Sequence, residues 1–571
     1  MWQERLARNE AAYGGELKKI EEREKIYEGT DILKRLVPGD EKQYTLHVRN
    51  VAAELIEAQV DSSVPQPKVT PKRPEDADKA AIIEDLLRGE LNRMPMEELN
   101  DLAERTVPIQ GGTVFMVEWD SKRKTHSTSG EISVSMLHPR QVIPQEGLGI
   151  DDMDYVIIKL PQTREAIRRK YGVTAADSDS GEKQNGEDVI TQCIAYYKND
   201  DDGIGIYSWT GDTELESAED CQKRRHRICK SCGAKIWDRG QKQCGECGRR
   251  KLEEVSEDHE EIFLQSFYGS MGEEKIKLPA YRPRIFPVLV QKNVSVYGKF
   301  LGDSDIDKIK DQQNTANRIE QKIIDKLLKS GSYLILPEQA DIAVDAEDLK
   351  IIRPETPAAA GQIGVKDLQG NIAQDMQYLE QIYQEARQIT GITESFQGRV
   401  DTTATSGRAK EFSAAQAAGR LESKRVMKNA AYGRLFEIMF KFALAYMDEP
   451  RPVASRDDKG NPEYKTFNRY DFLEQDSAGE WYWNDQFLFS CDTTSSLASN
   501  REAMWQETRL NLESGAFGDP SMPETLIMFW RKMEMLQYPG ASETRATLES
   551  NWQGGGREEI EIENEKLKME N

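Results

Sequence analysis

The chain has 571 residues, enough for about three or four average domains, and is 38% hydrophobic and 31% charged. Seventy-seven Lys and Arg stand against 100 Asp and Glu, a formal net charge of −23. That balance excludes a protein that grips nucleic acid over its whole surface, though not one that surrounds it. No run approaches the roughly 20 apolar residues of a membrane span. The opening Met1-Trp-Gln-Glu-Arg5 has no apolar h-region, so no secretory leader is expected.

In chain order, the first hundred residues read as helices. One covers about 2–28. A second covers about 41–60, with Leu46, Val51, Ala52, Leu55 and Ile56 at helical spacing, and a third covers about 75–104. Pro65, Pro67, Pro71 and Pro74 mark an extended connection before the third. The period then changes to two: Thr113–Trp119 and Ile132–Met136 are predicted strands of a hairpin, and Tyr155–Leu160 is expected to continue their sheet. Pro161 opens a short helix ending near Gly172, the Asp-, Ser- and Gly-rich 174–187 reads as a mobile loop, and strands follow at 188–198, 204–210 and 260–267.

Long helices dominate the second half. Ser304 and Asp307 resemble a capping box at the start of a helix over 304–329. Its apolar face carries Ile306, Ile309, Ala316, Ile319, Ile323, Ile324, Leu327 and Leu328, and Gly331 is placed to end it. A proline-containing β segment leads to a second helix over 372–389, with Met376, Leu379, Ile382, Tyr383 and Ala386 on one face. After a Thr/Ser/Gly loop, a helical run of about forty residues reaches Met447, with Gly419 and Gly433 as candidate bends. Strands near 464–473 and 480–491, helices over 500–550 and a charged tail complete the chain.

Five of the seven cysteines fall between Cys221 and Cys247. Cys229-Lys-Ser-Cys232-Gly233 and Cys244-Gly-Glu-Cys247-Gly248 are matching knuckles separated by eleven residues. Zinc takes four soft or borderline ligands in a tetrahedron, and two C-x2-C turns supply two each. The glycine after each pair permits a tight turn that frees backbone N–H groups to bond thiolates. Four thiolates leave no open position for water, so such a zinc is structural. Coincidental buried cysteines and redox chemistry are the competing readings, and Cys221 or His226 could stand in for a ligand. Cys193 and Cys491 read as small buried residues, and the usage fits a reducing compartment. Residues 223–251 hold eleven Lys or Arg and two acids, flanked by five acids in 212–220 and six in 252–261. Charge pairing within or between subunits and contact with nucleic acid or another anionic partner both remain open for this patch.

No phosphate-binding P-loop, dinucleotide fingerprint or nucleophile elbow is present. Asp151-Asp152 and Asp200–Asp202 read as solvated turns, the five histidines lack ligand spacing, and Trp481, Tyr482 and Trp483 alternate as packing residues.

The order helix, small β segment, helix, Ser/Thr/Gly loop, very long helix resembles the portal proteins of tailed bacteriophages. The stretches that carry the likeness are Gly302-Asp-Ser-Asp-Ile306, Asp311-Gln-Gln-Asn-Thr-Ala-Asn317, Ile389-Thr-Gly-Ile392 and Ala404-Thr-Ser-Gly-Arg-Ala409. Upstream, Val48–Val60 and Pro139-Arg-Gln-Val-Ile143 look similar too. The resemblance implies an α+β multidomain portal fold of wing, stem, clip and crown, with the zinc ribbon as an insertion. Its parts would be wing 1–303, ribbon 221–251, stem helices 304–329 and 372–391, clip 330–371 and tunnel loop 392–407. The long helix and wing strands 408–498, crown helices 499–550 and tail 551–571 would follow. It further implies a homo-oligomeric ring, usually a dodecamer, at the capsid vertex of a virion assembled in the host cytoplasm. The ring would have no catalytic chemistry of its own. Double-stranded DNA would pass through it, and the terminase large subunit, a head–tail adaptor and the major capsid protein would be its partners, with no membrane involved. Arg399, Thr402, Thr403, Thr405, Arg408 and Lys410 are the candidates to face that DNA. The competing readings are a zinc-ribbon nucleic-acid enzyme or regulator, and another structural head or tail component.

Overall fold

Helix α1 (Trp2–Glu28) stops at Gly29, whose φ of 73° a residue with a Cβ adopts only under strain. The structure, a computed structural model, describes residues 1–30, 49–125, 128–145, 149–150, 152–173, 183–184, 187–236, 243–257, 259–263, 275–335, 350–352, 365–368, 371–392, 407–456, 462–492, 501–520, 522–535, 538 and 540–549. Of the second expected helix, α2 (Val51–Glu57) lies within these residues, with Asn50 Oδ1 accepting from Ala53 N as its cap. The third is two helices, α3 (Ala77–Arg93) and α4 (Met96–Gln110). Pro95 explains the break, since it cannot continue the hydrogen-bond ladder and holds Met94 extended at ψ 156°.

The hairpin forms as read, Gly112–Lys124 against Ser129–Leu137, and Val288–Lys292 adds a third antiparallel strand. Both faces of this sheet are buried. Phe115 and Val117 pack into one core, Val114 and Met116 into another, which is why Thr113–Val117 lacks polar alternation. Tyr155–Thr163 does not continue that sheet. The turn Pro139–Gln141, capped by His138, redirects the chain, and a separate antiparallel sheet follows. Its strands run in the order Val142–Pro144, Tyr155–Thr163, Glu187–Lys198, Ile204–Thr210, Thr213–Ala218. Helix α5 (Arg164–Tyr171) is capped by Thr163 and closed by Gly172. Trp2 of α1 packs on this sheet through Tyr155, Tyr197 and Tyr207, with ring centroids 5.1–6.4 Å apart.

Helix α6 (Asp305–Lys329) leads into a three-stranded sheet with Gly331–Ile335 in the centre, Lys350–Ile352 parallel on one side and Val365–Leu368 antiparallel on the other. Gly331 begins that strand; the helix itself ends at Ser330 in an extended conformation. Helix α7 (Ala373–Thr390) closes on Gly391 at φ 81°. Helix α8 (Gly407–Tyr446) runs through both candidate bend points without a break. From Ala431 to Ala445 it is buried except for one ion-paired stripe of Arg434, Glu437 and Lys441, and Tyr432, Leu435, Phe436, Met439, Phe440, Ala443 and Leu444 are all fully buried. Phe440 meets Phe472, Phe487 and Phe489 at 5.5–5.6 Å. Gly433 serves close approach: a Cβ there would lie 3.1 Å from the Phe489 carbonyl oxygen. The strand Phe487–Cys491 pairs with Pro67–Pro71 across most of the chain.

Residues Met1–Cys491 form one compact unit and Asp492–Asn571 another. In the second, helices α9 (Arg501–Glu513) and α10 (Pro523–Met535) close on Trp505, Phe529, Trp530, Met533 and Tyr538.

Candidate functional site

The cysteine knuckles meet. Gly233 and Gly248, at φ 75° and 66°, let each turn fold back so that Gly233 N donates to Cys229 O and Gly248 N to Cys244 O, both at 2.8 Å. Cys229 Sγ lies 3.5 Å from Cys247 Sγ, Cys232 Sγ lies 3.5 Å from Cys244 Sγ, and all four sulfurs fall within 4.8 Å of one another. These separations are far too long for disulfides. They match the edge of about 3.8 Å that four sulfurs make around a zinc ion at about 2.3 Å. Backbone N–H groups of Ser231 and Cys232 aim at Cys229 and hold its thiol down at about 6. Ala234 N–H acts in the same sense on Cys232, but the sulfurs of Cys247 and Cys244 outweigh it and push that thiol up to about 12. A divalent metal would remove this conflict by taking all four as thiolates. Among the described residues, the apolar side chains packed around the buried pair Cys229 and Cys244 are Ala234 and Leu252, too little by themselves to hold a fold. The donor set therefore fits a structural zinc. Cys221 is not part of it; it packs against the sheet core, with its N–H on Ile204 O at 2.7 Å.

The two knuckles sit on a ribbon of Arg224–Cys229 paired with Leu252–Glu257. The register sets Arg224 opposite Glu257 and Arg227 opposite Glu254, and Lys230 bonds Glu253 at 3.1 Å. The backbone register thus sets basic positions opposite acidic ones, which favours charge pairing there. Arg249, Arg250 and Lys251, leaving the second knuckle, are exposed.

Three of the quoted motifs of the second half, Gly302–Ile306, Asp311–Asn317 and Ile389–Ile392, converge on the root of α6, and the fourth begins outside the described residues. Gly302 and Gly111 cross backbone to backbone, with Gly302 N on Gly111 O at 2.9 Å, and a Cβ on Gly111 would stand 2.4 Å from Gly302 O. Ser304 Oγ donates to Ile109 O at 2.6 Å and accepts from Asp307 N. Asp305, 1% exposed, accepts from Asn293 Nδ2 at 3.1 Å and pairs with Lys308 and Lys424. Gln313 bridges to α2, accepting from Ala52 N at 2.9 Å and donating to Arg49 O at 2.8 Å. At the end of α7, Thr390 Oγ1 bonds Ala386 O, Gly391 turns the chain, and Ile392 is fully buried.

Sequence reasoning missed the clamp that α1 places on this root. Arg23, 2% exposed, holds Asp307 with both Nε and Nη2, at 3.0 and 2.5 Å, and reaches Glu16 at 2.7 Å. A charged residue on the otherwise apolar stripe Ile20–Tyr27 was its only signal. The predicted apolar faces of α6 and α7 meet within one chain at Ala316, Ile323, Leu379 and Ile382, and Asp375 ties the helices by accepting from Lys322 and Lys326. Two expected face residues are not covered: Leu327 and Met376 are each 51% exposed. Of the DNA-facing candidates, Arg399, Thr402, Thr403 and Thr405 lie outside the described residues, as does most of 392–407. Arg408 and Lys410 fall in the first turn of α8.

No curated protein matches the chain significantly. The profile of the phage P22-like portal proteins matches residues 51–571. That match takes in the clamped helix pair, the strands between them, the long buried helix and the cysteine ribbon in one continuous span, and the chain belongs to the phage P22-like portal protein family.

Proposed function

We propose that the chain assembles into a ring, a dodecamer as in most portals, that forms a passive conduit for packaging and ejecting double-stranded DNA at one capsid vertex. The observation that carries this is the α6–α7 pair. It is locked at its root by buried polar contacts, yet it leaves Leu327, Met376, Tyr378 and Ile389 exposed at 38–51%. Apolar side chains on a rigid helix pair gain burial by meeting copies of themselves. The net charge of −23 keeps such a ring from holding phosphates electrostatically.

In this reading α6 and α7 are the stem, and residues 330–371 are the clip that docks the terminase motor and later the tail adaptor. Residues 392–407 form the tunnel loop, with Arg399, Thr402, Thr403, Thr405, Arg408 and Lys410 nearest the DNA. Residues 1–303 and 408–498 make the wing against the capsid protein, and 499–550 the crown. Cys229, Cys232, Cys244 and Cys247 hold one structural zinc per subunit, which cross-links the ribbon. Mass measurement in solution with electron microscopy tests the proposal: closed rings with an axial channel are expected, and a monomer that cleaves or modifies nucleic acid would refute it.

A further inference from the structure

We propose that a glutamine stripe on α7 is the surface over which duplex DNA slides, an inference that rests on the conduit reading above. Gln374, Gln377, Gln381, Gln384 and Gln388 recur at alternating intervals of three and four residues. At about 3.6 residues per turn this aligns them on one face. That face lies opposite Leu379, Ile382, Tyr383 and Ala386, through which α7 packs on α6 and α2. Four of the five glutamines are exposed and Gln384 is half-buried. The stripe is about 21 Å long, the rise of roughly six base pairs.

Its surroundings assign the direction it faces. A helix lining a ring has a back against its own subunit, two sides toward neighbouring copies and a front toward the lumen. Met376 flanks the stripe on one side, Tyr378 and Ile389 on the other, and these exposed apolar residues suit the two sides. Charge separates α7 from α6. Arg387, the sole cation of α7, is buried against Tyr383 and Glu54, whereas α6 exposes Arg318 and Lys322. The exposed charges of α7 are Glu380 and Glu385, which accept from Gln384 at 3.1 Å and Gln381 at 3.2 Å. An amide N–H offers a phosphate oxygen one neutral hydrogen bond. It neutralises no charge and releases no counterions, so contacts exchange without a salt-dependent grip. Lysine at the same positions would grip.

The test uses rings of the full chain carrying Gln377→Lys with Gln381→Lys, compared with wild type and with Gln377→Ser plus Gln381→Ser. Each is mixed with a short linear DNA duplex. Rings of unchanged mass are expected from all three. The lysine variant should retain about tenfold more duplex, or greater, at low salt and release it as salt rises, while the serine variant should match wild type. Lysine rings that retain no more duplex than wild type would overturn the stripe alone. Loss of the ring in either variant would overturn it too, by placing the glutamines in the subunit contact. A wild-type chain that stays monomeric would overturn the conduit reading and this inference together.

Discussion

Replacing Asp307 with Ala should cost more than replacing Arg23 with Met, although both break the same pair. Arg23 has 3% of its side chain exposed, and Asp307 has 35%. Without Asp307 the guanidinium stays buried, with Glu16 at 2.7 Å and the Gln110 carbonyl at 3.2 Å as its remaining acceptors. Removing one partner of a buried pair costs about 3–5 kcal/mol. The surviving Glu16 contact and the hydration open to Asp307 reduce this to about 2–3 kcal/mol. Without Arg23 the two carboxylates reach water and the desolvated cation is gone, so Arg23→Met should cost about 1 kcal/mol. The double variant should be about 1–2 kcal/mol less damaging than the sum of the two. Denaturant titration of the soluble chain gives the totals, and hydrogen exchange over 16–28 and 305–313 localises them. An Arg23→Met effect equal to or larger than that of Asp307→Ala, or strict additivity, would refute this account of the clamp.

Ile323 and Leu327 should separate folding from assembly. Ile323 is 6% exposed beneath Leu379 and Ile382, so Ile323→Asp buries an unpaired carboxylate within one chain and should lower its stability by several kcal/mol. Leu327→Asp should leave a folded monomer and abolish rings; intact rings in micrographs would remove Leu327 from the interface. Elemental analysis should find one zinc per chain, and strong chelation should raise exchange over 224–257 while rings persist. Four free thiols without zinc, or collapse of the ring on chelation, would count against a peripheral metal module. Burial raises the Glu474 carboxyl, but hydrogen bonds from Lys79, Arg73, Tyr482 and Asn484 outweigh it and set it at about 2. Its folded value is thus below its unfolded one. The stability it contributes is present above the ordinary glutamate range and is lost as pH falls toward 2. Glu474→Gln should show a smaller loss over that window in acid titrations followed by circular dichroism.

What the sequence made legible was whatever one residue's neighbours decide. Ser304 caps α6, Gly391 closes α7, and the Cys229–Cys247 spacing assembles four sulfurs, each a matter of local turn chemistry. The break at Pro95 was equally local and was overrun because the apolar period continues on both sides of it. Exposure of Met376 and Leu327 was not legible, since periodicity marks an apolar face without saying whether the same chain or another copy covers it. The separation of Tyr155–Thr163 from the first hairpin rests on which strands pair across more than one hundred residues, as Val288–Lys292 does with Gly112–Met116. Arg23 belongs to the same class: its partner Asp307 is 284 positions away.

The pairing of Pro67–Pro71 with Phe487–Cys491 also sets a schedule for making the protein. A ribosome adding about 5–20 residues per second leaves the first strand waiting about 20–85 s for its partner. Phe115, Val117 and the apolar face of α3 wait nearly as long for residues 431–446 of α8. The nascent chain therefore carries an open strand edge and an uncovered core face through most of its synthesis. Chaperone occupancy should fall only after residue 491 clears the exit tunnel, so subunits join one another as finished chains.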